Sequence, residues 1–243
     1  MTDDRDVAVE VTIAAPIDLV WRALRERDEI RRWHGWEFDG LDEEIEEIFF
    51  TDATEQVADG PDRRLVSAGS VFEVTTRGAS TVVRVVLVRP PEHDSWQGWY
   101  DDVRQGWLTF VQQLRFALER HRGEDRSTVI VSGVPLDAYQ PPVAALLGLD
   151  GIPTQAGEPY AATLATGDEV TGRVWFHAEH QRGVTVDGWG DGLLVLTDGV
   201  TPAKPVGALL TTYGLDPAVH AELAARWQAW AGKHLGNAVD SSF

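Results

Sequence analysis

The stretch YDDVRQGWLTFVQQLRFALERHRG, residues 100–123, constrains the fold more than any other part of the chain. At about 100° per residue, Val103, Gly106, Trp107, Phe110, Val111, Leu114, Ala117 and Leu118 fall on one broad stripe. Arg104, Gln105, Gln112, Arg115, Glu119 and Arg120 fall opposite. Asp101 and Asp102 stand before the first turn, where negative charge favours the helix dipole. Gly123 follows the last turn and suits a left-handed stop. The spacing therefore predicts one long amphipathic helix whose bulky face needs a broad partner surface. Leu108 and Phe116 lie off the stripe and are expected to pack this helix against the second half of the chain.

Strand patterns upstream supply that surface. VAVEVTI (7–13) alternates, with Val7, Val9, Val11 and Ile13 on one face. AAPIDLVWRALRER then puts Pro16 in a helix's first turn and spaces Val20, Trp21 and Leu24 helically. DEIRRW reads as a short helix or turn and WHGWEF (33–38) as extended chain. GLDEEIEEIFFTDA reads as a helix through Leu41, Ile45, Ile48 and Phe49. Strands are expected at 64–69, 70–78 and 80–90, separated by glycine-containing turns, with WQGWY leading into the long helix.

After Gly123 the order restarts. TVIVSG followed by VPLDAYQPPVAALLG (134–148) echoes VEVTIA followed by APIDLVWRALR (15–25). EPYAATLATG and EVTGRVWFHAEHQRGVTVDGWGDGLLVLTDG come next. A last helix, DPAVHAELAARWQAWAGKHLG (216–236), repeats with Val219, Leu223, Trp227, Trp230 and His234 the spacing of Val103, Trp107, Val111, Leu114 and Leu118. Two tandem units of related plan, 1–123 and 124–243, are expected, the second shortened and diverged.

The first unit resembles the helix-grip, or START-like (SRPBCC), superfamily, and within it the branch of activators of the heat-shock-protein-90 ATPase. VTIAAPIDLVWRAL, GSVFEV with TVVRVV, and WYDDVRQGWLTFVQQLRFALERH carry the resemblance. It implies an α+β fold, an antiparallel curved sheet around a long C-terminal helix with a cavity between them. On that plan Trp107, Val111 and Leu114 form one wall. Either Val71, Val83 and Val85, or Phe72 and Val74, form the other, because register is not readable from sequence. Trp33, Trp36, Trp96 and Trp99 stand near element ends, where they would line the mouth. Such a pocket would take a small apolar or aromatic molecule. The ligand-binding set expected is thus Trp33, Trp36, Phe72, Trp96, Trp99, Trp107, Val111 and Leu114.

Composition narrows the function further. A net charge of −18, spread over both halves, argues against nucleic acid and against anionic membranes as partners. No cysteine is present, which excludes disulfides, thiolate metal sites and cysteine nucleophiles. MTDDRDVAVEV reads as neither a signal nor a transit peptide, so a cytoplasmic protein is expected. His177, Glu179 and His180 in WFHAEHQRG have the wrong spacing for three convergent ligands on a strand, and no metal or other cofactor is expected. DGWGDGLL precedes a strand rather than a helix, so it reads as a hairpin turn and not a phosphate loop. His34 is a general-base candidate, but no paired carboxylate stands at readable spacing, and no catalytic residue is assigned. The leading expectation is non-enzymatic binding of a small apolar ligand. A co-chaperone-like module with a chaperone or other protein partner, and a cyclase- or hydrolase-type enzyme using the same cavity, are the alternatives.

Overall fold

The computed structural model describes residues 6–51, 53–57, 62–67, 69–88, 96–137, 141–201 and 204–236; for residues 6, 55–57 and 96–101 it describes the backbone alone. The chain divides into two compact units, Met1–Glu124 and Asp125–Phe243. Among the described residues no helix is long and apolar enough to cross a membrane.

In the first unit, β1 (Asp6–Ile13), β2 (Thr54–Val57), β3 (Arg63–Ser67), β4 (Ser70–Arg77) and β5 (Ser80–Leu87) form one antiparallel sheet in the order β1-β5-β4-β3-β2. Between β1 and β2 run α1 (Ile17–Arg25), α2 (Arg27–Arg31), α3 (Leu41–Glu46) and a π-helical turn, Glu47–Thr51. Then α4 (Trp96–Arg120) closes the unit and packs on β1 and β5. This is the helix-grip plan. Helix α4 begins at Trp96, inside the segment expected to lead into it, and ends at Arg120. Gly123 does adopt a left-handed φ of 78°, three residues beyond that end.

Register decides which side chains face α4. Phe72 stands opposite both Val85 and Leu65, and Val74 opposite Val83. Residues directly opposite share a face, so Leu65, Phe72, Val74, Val83 and Val85 form one apolar surface, all buried in the first unit's core. Val71 pairs with Val86 on the other face. The grouping of Val71 with Val83 and Val85 is therefore corrected: Phe72 and Val74 share the face of Val83 and Val85. A bulge in β1 makes a second correction. Val7 pairs with Val86 but Val9 with Val85, so Ala8 is an extra residue and Val7 turns away from Val9, Val11 and Ile13. Val7 is accordingly exposed while the other three are buried.

Helix α4 is wrapped on more than its stripe. Gln112 and Gln113 are buried, Arg104 Nε donates to the Ala8 carbonyl (3.2 Å), and Glu119 Oε1 accepts from the Ala14 amide (2.8 Å). Polar residues assigned to a solvent face instead tie the helix to β1 and the turn after it. Leu108 packs against the first unit's own core, and the buried ring of Phe116 lies 5.4 Å from that of His121.

The second unit has β6 (Arg126–Pro135), α5 (Val143–Leu146), β7 (Pro159–Thr163), β8 (Glu169–His177), β9 (Gln181–Val186), β10 (Gly192–Thr197), β11 (Val206–Tyr213), α6 (Pro217–His234) and β12 (Leu235–Gly236). Its antiparallel sheet runs β12-β6-β11-β10-β9-β8-β7, wider than that of the first unit. The shortening falls on the helices. Where the sequence echo leads one to expect a counterpart of α1, the chain makes the single turn α5. Asp216 caps α6 by accepting from the Ala218 amide (2.8 Å), with Pro217 in the first turn. The DGWGDG segment is one 3-10 turn, Asp187–Trp189, between β9 and β10, as a hairpin connection requires. Strand β8 stops at His177, so Glu179 and His180 lie on the turn to β9 rather than on one strand.

Candidate functional site

The segment between α2 and α3 forms the site. Trp33 and His34 extend the last turn of α2, their amides donating to the Ile30 carbonyl at 3.0 and 2.9 Å. Gly35 then takes a φ of 57°, a left-handed conformation that a side chain disfavours, and the chain reverses. Segment 33–38, expected to be extended, is thus a turn followed by irregular chain. Helix α4 holds this reversal from within: buried Gln113 donates its Nε2 to the Gly35 carbonyl at 3.2 Å.

The reversal drives His34 into the core. Its side chain has no exposed surface, and its Nε2 lies 2.7 Å from Glu44 Oε1 in the first turn of α3. A carboxylate only accepts, so the shared proton is carried on Nε2. Four aromatic rings surround the imidazole. Centroids of Phe110, Phe49, Trp33 and Trp107 stand 4.9, 5.1, 5.5 and 6.0 Å away. Phe49 sits on the π-helical turn, whose carbonyls at Phe49 and Ile48 accept from Arg25 Nη1 (2.6 Å) and from Ser67 Oγ respectively. π-Helical turns inside helices are over-represented at functional positions.

An aromatic series leads from this pair to the surface. Phe38 is 41% exposed, and its ring lies 6.0 Å from half-buried Trp36, which lies 6.3 Å from half-buried Phe110. On the inner side Trp107 continues the series to Phe72, 4.9 Å away and nearly perpendicular. Trp107 also donates its indole N–H to Ser70 Oγ at 3.1 Å, so one side chain spans from α4 to the sheet. Around Trp107 the rings of Phe72, His34, Phe110 and Phe49 stand 4.9, 6.0, 6.1 and 6.4 Å away, on the side where the cavity was expected.

The expected ligand residues separate on this geometry. Trp33, Phe72, Val111 and Leu114 are fully buried core side chains, and Trp33 spends its indole N–H on the Ala23 carbonyl (2.8 Å) rather than standing at a mouth. Trp107 keeps a small exposed edge, and Trp36 lies on the path to the surface. The side chains of Trp96 and Trp99, in the first turn of α4, lie outside the described residues. Glu44, Phe49, Phe110 and Phe38 were missed as site residues. Glu44 is ten positions from His34 across a left-handed glycine, and the chain between them is neither one helix nor one strand, so no period relates the two. Among the described residues no group of three or more His, Asp or Glu side chains stands together to hold a metal ion.

No protein-family model matches the sequence, and no curated protein matches it. Solved structures similar to the chain over both units include the following three. DynU16, from the dynemicin biosynthetic locus, is 18% identical, with 94% of this chain and 96% of that one covered and a TM-score of 0.33. The di-domain ARO/CYC BexL, from the BE-7585A biosynthetic pathway, is 11% identical over 95% and 98%, with a TM-score of 0.32. The di-domain ARO/CYC StfQ, from the steffimycin biosynthetic pathway, is 16% identical over 90% of each chain, with a TM-score of 0.30. Scores this low support no inference about chemistry.

Proposed function

We propose that the first unit binds a small, mainly aromatic molecule bearing a hydroxyl or enol group. The observation that carries this reading is the aromatic series from exposed Phe38 to buried His34, whose Nε2 is held by half-buried Glu44. Aromatic rings give planar apolar ligands large contact at small entropic cost, and one polar pair at the inner end gives orientation. A ligand would enter by displacing Trp36 and Phe110, the half-buried members, and would leave the fully buried wall in place.

The test uses 2-naphthol and naphthalene with the full chain, followed by calorimetry. Naphthol should bind about tenfold more tightly than naphthalene, one charge-assisted hydrogen bond's worth. Trp36→Ala and Phe110→Ala should weaken both ligands, and His34→Phe should abolish the preference. Naphthol affinity indifferent to Trp36 and Phe110 would overturn the reading.

One observation favours a second reading. A histidine oriented by a carboxylate and enclosed by aromatic rings is a recurring arrangement for acid–base catalysis, which a cyclase-type enzyme could use. Deuterium uptake at the acidic carbon of benzoylacetone tests it. Acceleration by the protein that His34→Gln removes would support proton abstraction, and uptake at the buffer rate would end it. For the co-chaperone-like role the structure offers Phe38 among the exposed acidic residues Glu37, Asp39, Asp42 and Glu43. One exposed ring is a narrower feature than the apolar patches that usually mark protein interfaces.

A further inference from the structure

Helix α6 carries two buried indole donors that meet no acceptor among the described residues. Trp227 is fully buried and Trp230 almost so, both within the second unit's core, and neither indole Nε1 has a hydrogen-bond partner there; on the same helix the Nε2 of half-buried His220 is likewise unmet. The contrast with the first unit is direct. There the indoles of Trp33 and Trp107, equally buried, donate to the Ala23 carbonyl and to Ser70 Oγ. A polar group left unmet in an apolar core is costly, and most buried groups in folded proteins avoid it, so two on one helix call for an explanation. The rings lie 6.1 Å apart at 61°, and Trp189 meets Trp227 edge-on at 6.0 Å and 77°. Edge-on contact with a π-face is a weak substitute for an oxygen acceptor.

The two donors are three residues apart and so neighbour each other on one helix face. Toward the C-terminal end of α6 Trp230 keeps a small exposed edge, and its ring lies 5.2 Å from that of half-buried His234. Both rings belong to the second unit's apolar core, which also holds Leu223, Leu235 and Val129. Donors without charge, set in an apolar core, suit a neutral acceptor on an apolar body.

We propose that the second unit has its own binding site, in which the indole N–H groups of Trp227 and Trp230 hold the carbonyl oxygen of a small apolar ketone or quinone. The proposal is independent of the first unit's site and of what that site binds. Occupation of the site means a local shift of the Trp230 end of α6, since Trp227 exposes no surface in the unliganded arrangement.

The test uses 1-acetonaphthone and, as its carbonyl-free counterpart, 1-ethylnaphthalene, with the full chain labelled with 15N at tryptophan. Trp227→Phe and Trp230→Phe assign the two indole signals. The ketone should move both indole proton signals downfield and bind about tenfold more tightly than the hydrocarbon, while each variant lowers that preference. Unmoved signals, equal affinities in the unmodified chain, or a resident internal water that the ketone fails to displace would each overturn the proposal. The ketone–hydrocarbon comparison needs no variant, so it stands even if a substitution prevents folding.

Discussion

Helices α4 and α6 close their units in the same way, and they differ in what their polar atoms do. On α4 four side chains reach inward or across toward β1 and find partners, Trp107 with Ser70, Gln113 with Gly35, Arg104 with Ala8 and Glu119 with Ala14, while buried Gln112 Oε1 has none among the described residues. On α6 the satisfied side-chain bonds lie at exposed margins, Gln228 with the Ile130 carbonyl at 3.1 Å and Arg226 with Asp168 at 2.7 Å. The inward indoles of Trp227 and Trp230 are unmet among the described residues. Directional bonds hold α4 in a single register on its sheet, whereas apolar contact, which has no direction, holds the inner face of α6. One plan therefore supports two interiors of different polarity, and the chemistry of each follows the placement of donors rather than the fold.

The comparison breaks most visibly at the two central tryptophans. Trp107→Ala and Trp227→Ala should each cost about 3–5 kcal/mol in urea unfolding, because each removes a large buried ring from a close-packed core. A small loss at either position would mean that its core is already open. A finer cut replaces each by phenylalanine. Trp107→Phe removes a made hydrogen bond and strands Ser70, while Trp227→Phe removes an unmet donor, so Trp227→Phe should leave the unliganded chain about 2 kcal/mol more stable than Trp107→Phe does. Equal effects would erase the contrast between the helices.

Tyr160 extends the comparison within the second unit, since its buried hydroxyl does have a partner, the Thr185 carbonyl at 2.8 Å. Burial, and secondarily the charge of Asp187, push its pKa well above the ordinary tyrosine value. The folded state then keeps a proton that the unfolded state loses, so stability is complete below pH ~10 and falls above it by up to about 1.4 kcal/mol per pH unit. Alkaline urea titrations should show this slope, and Tyr160→Phe should flatten it. The smallest effects separate two carboxylates of α3. Glu44→Gln weakens the bond to buried His34 and should cost about 1 kcal/mol at neutral pH. Asp42→Asn loses only an exposed pair with Arg31 and should cost less than about 0.5 kcal/mol by the same measurement. The reverse order would place the structural role on the surface pair.

Sequence patterning marked β4, β5, α4 and α6: runs rich in β-branched residues gave the strands and apolar residues at helical spacing gave the helices. Three strands were not legible, and one of them, β12, falls at Leu235–Gly236, where the last helix was expected to continue. β2 is a four-residue strand of mostly polar residues, TEQV, with too little apolar character to register. β11, VGALLTTY, lies between β6 and β10 with all eight residues buried, so it has no alternation to read. Its threonines and glycine look like loop until both faces are covered.

The candidate site was half legible in the same sense. Aromatic residues at Trp36 and Trp107 stood out by type and position, and His34 was a visible candidate. What made His34 chemically distinct was Glu44, and that pairing depends on a left-handed glycine, a short helix and the inward reach of Gln113. Sequence by itself determined where chain segments become helix or strand and which faces turn away from water, because those follow from local periodicity. Tertiary structure decided which faces meet, which of the tryptophans find an acceptor and which histidine finds a carboxylate. Hydrogen bonds need a partner within about 3 Å at a defined angle, and only the assembled fold sets such distances.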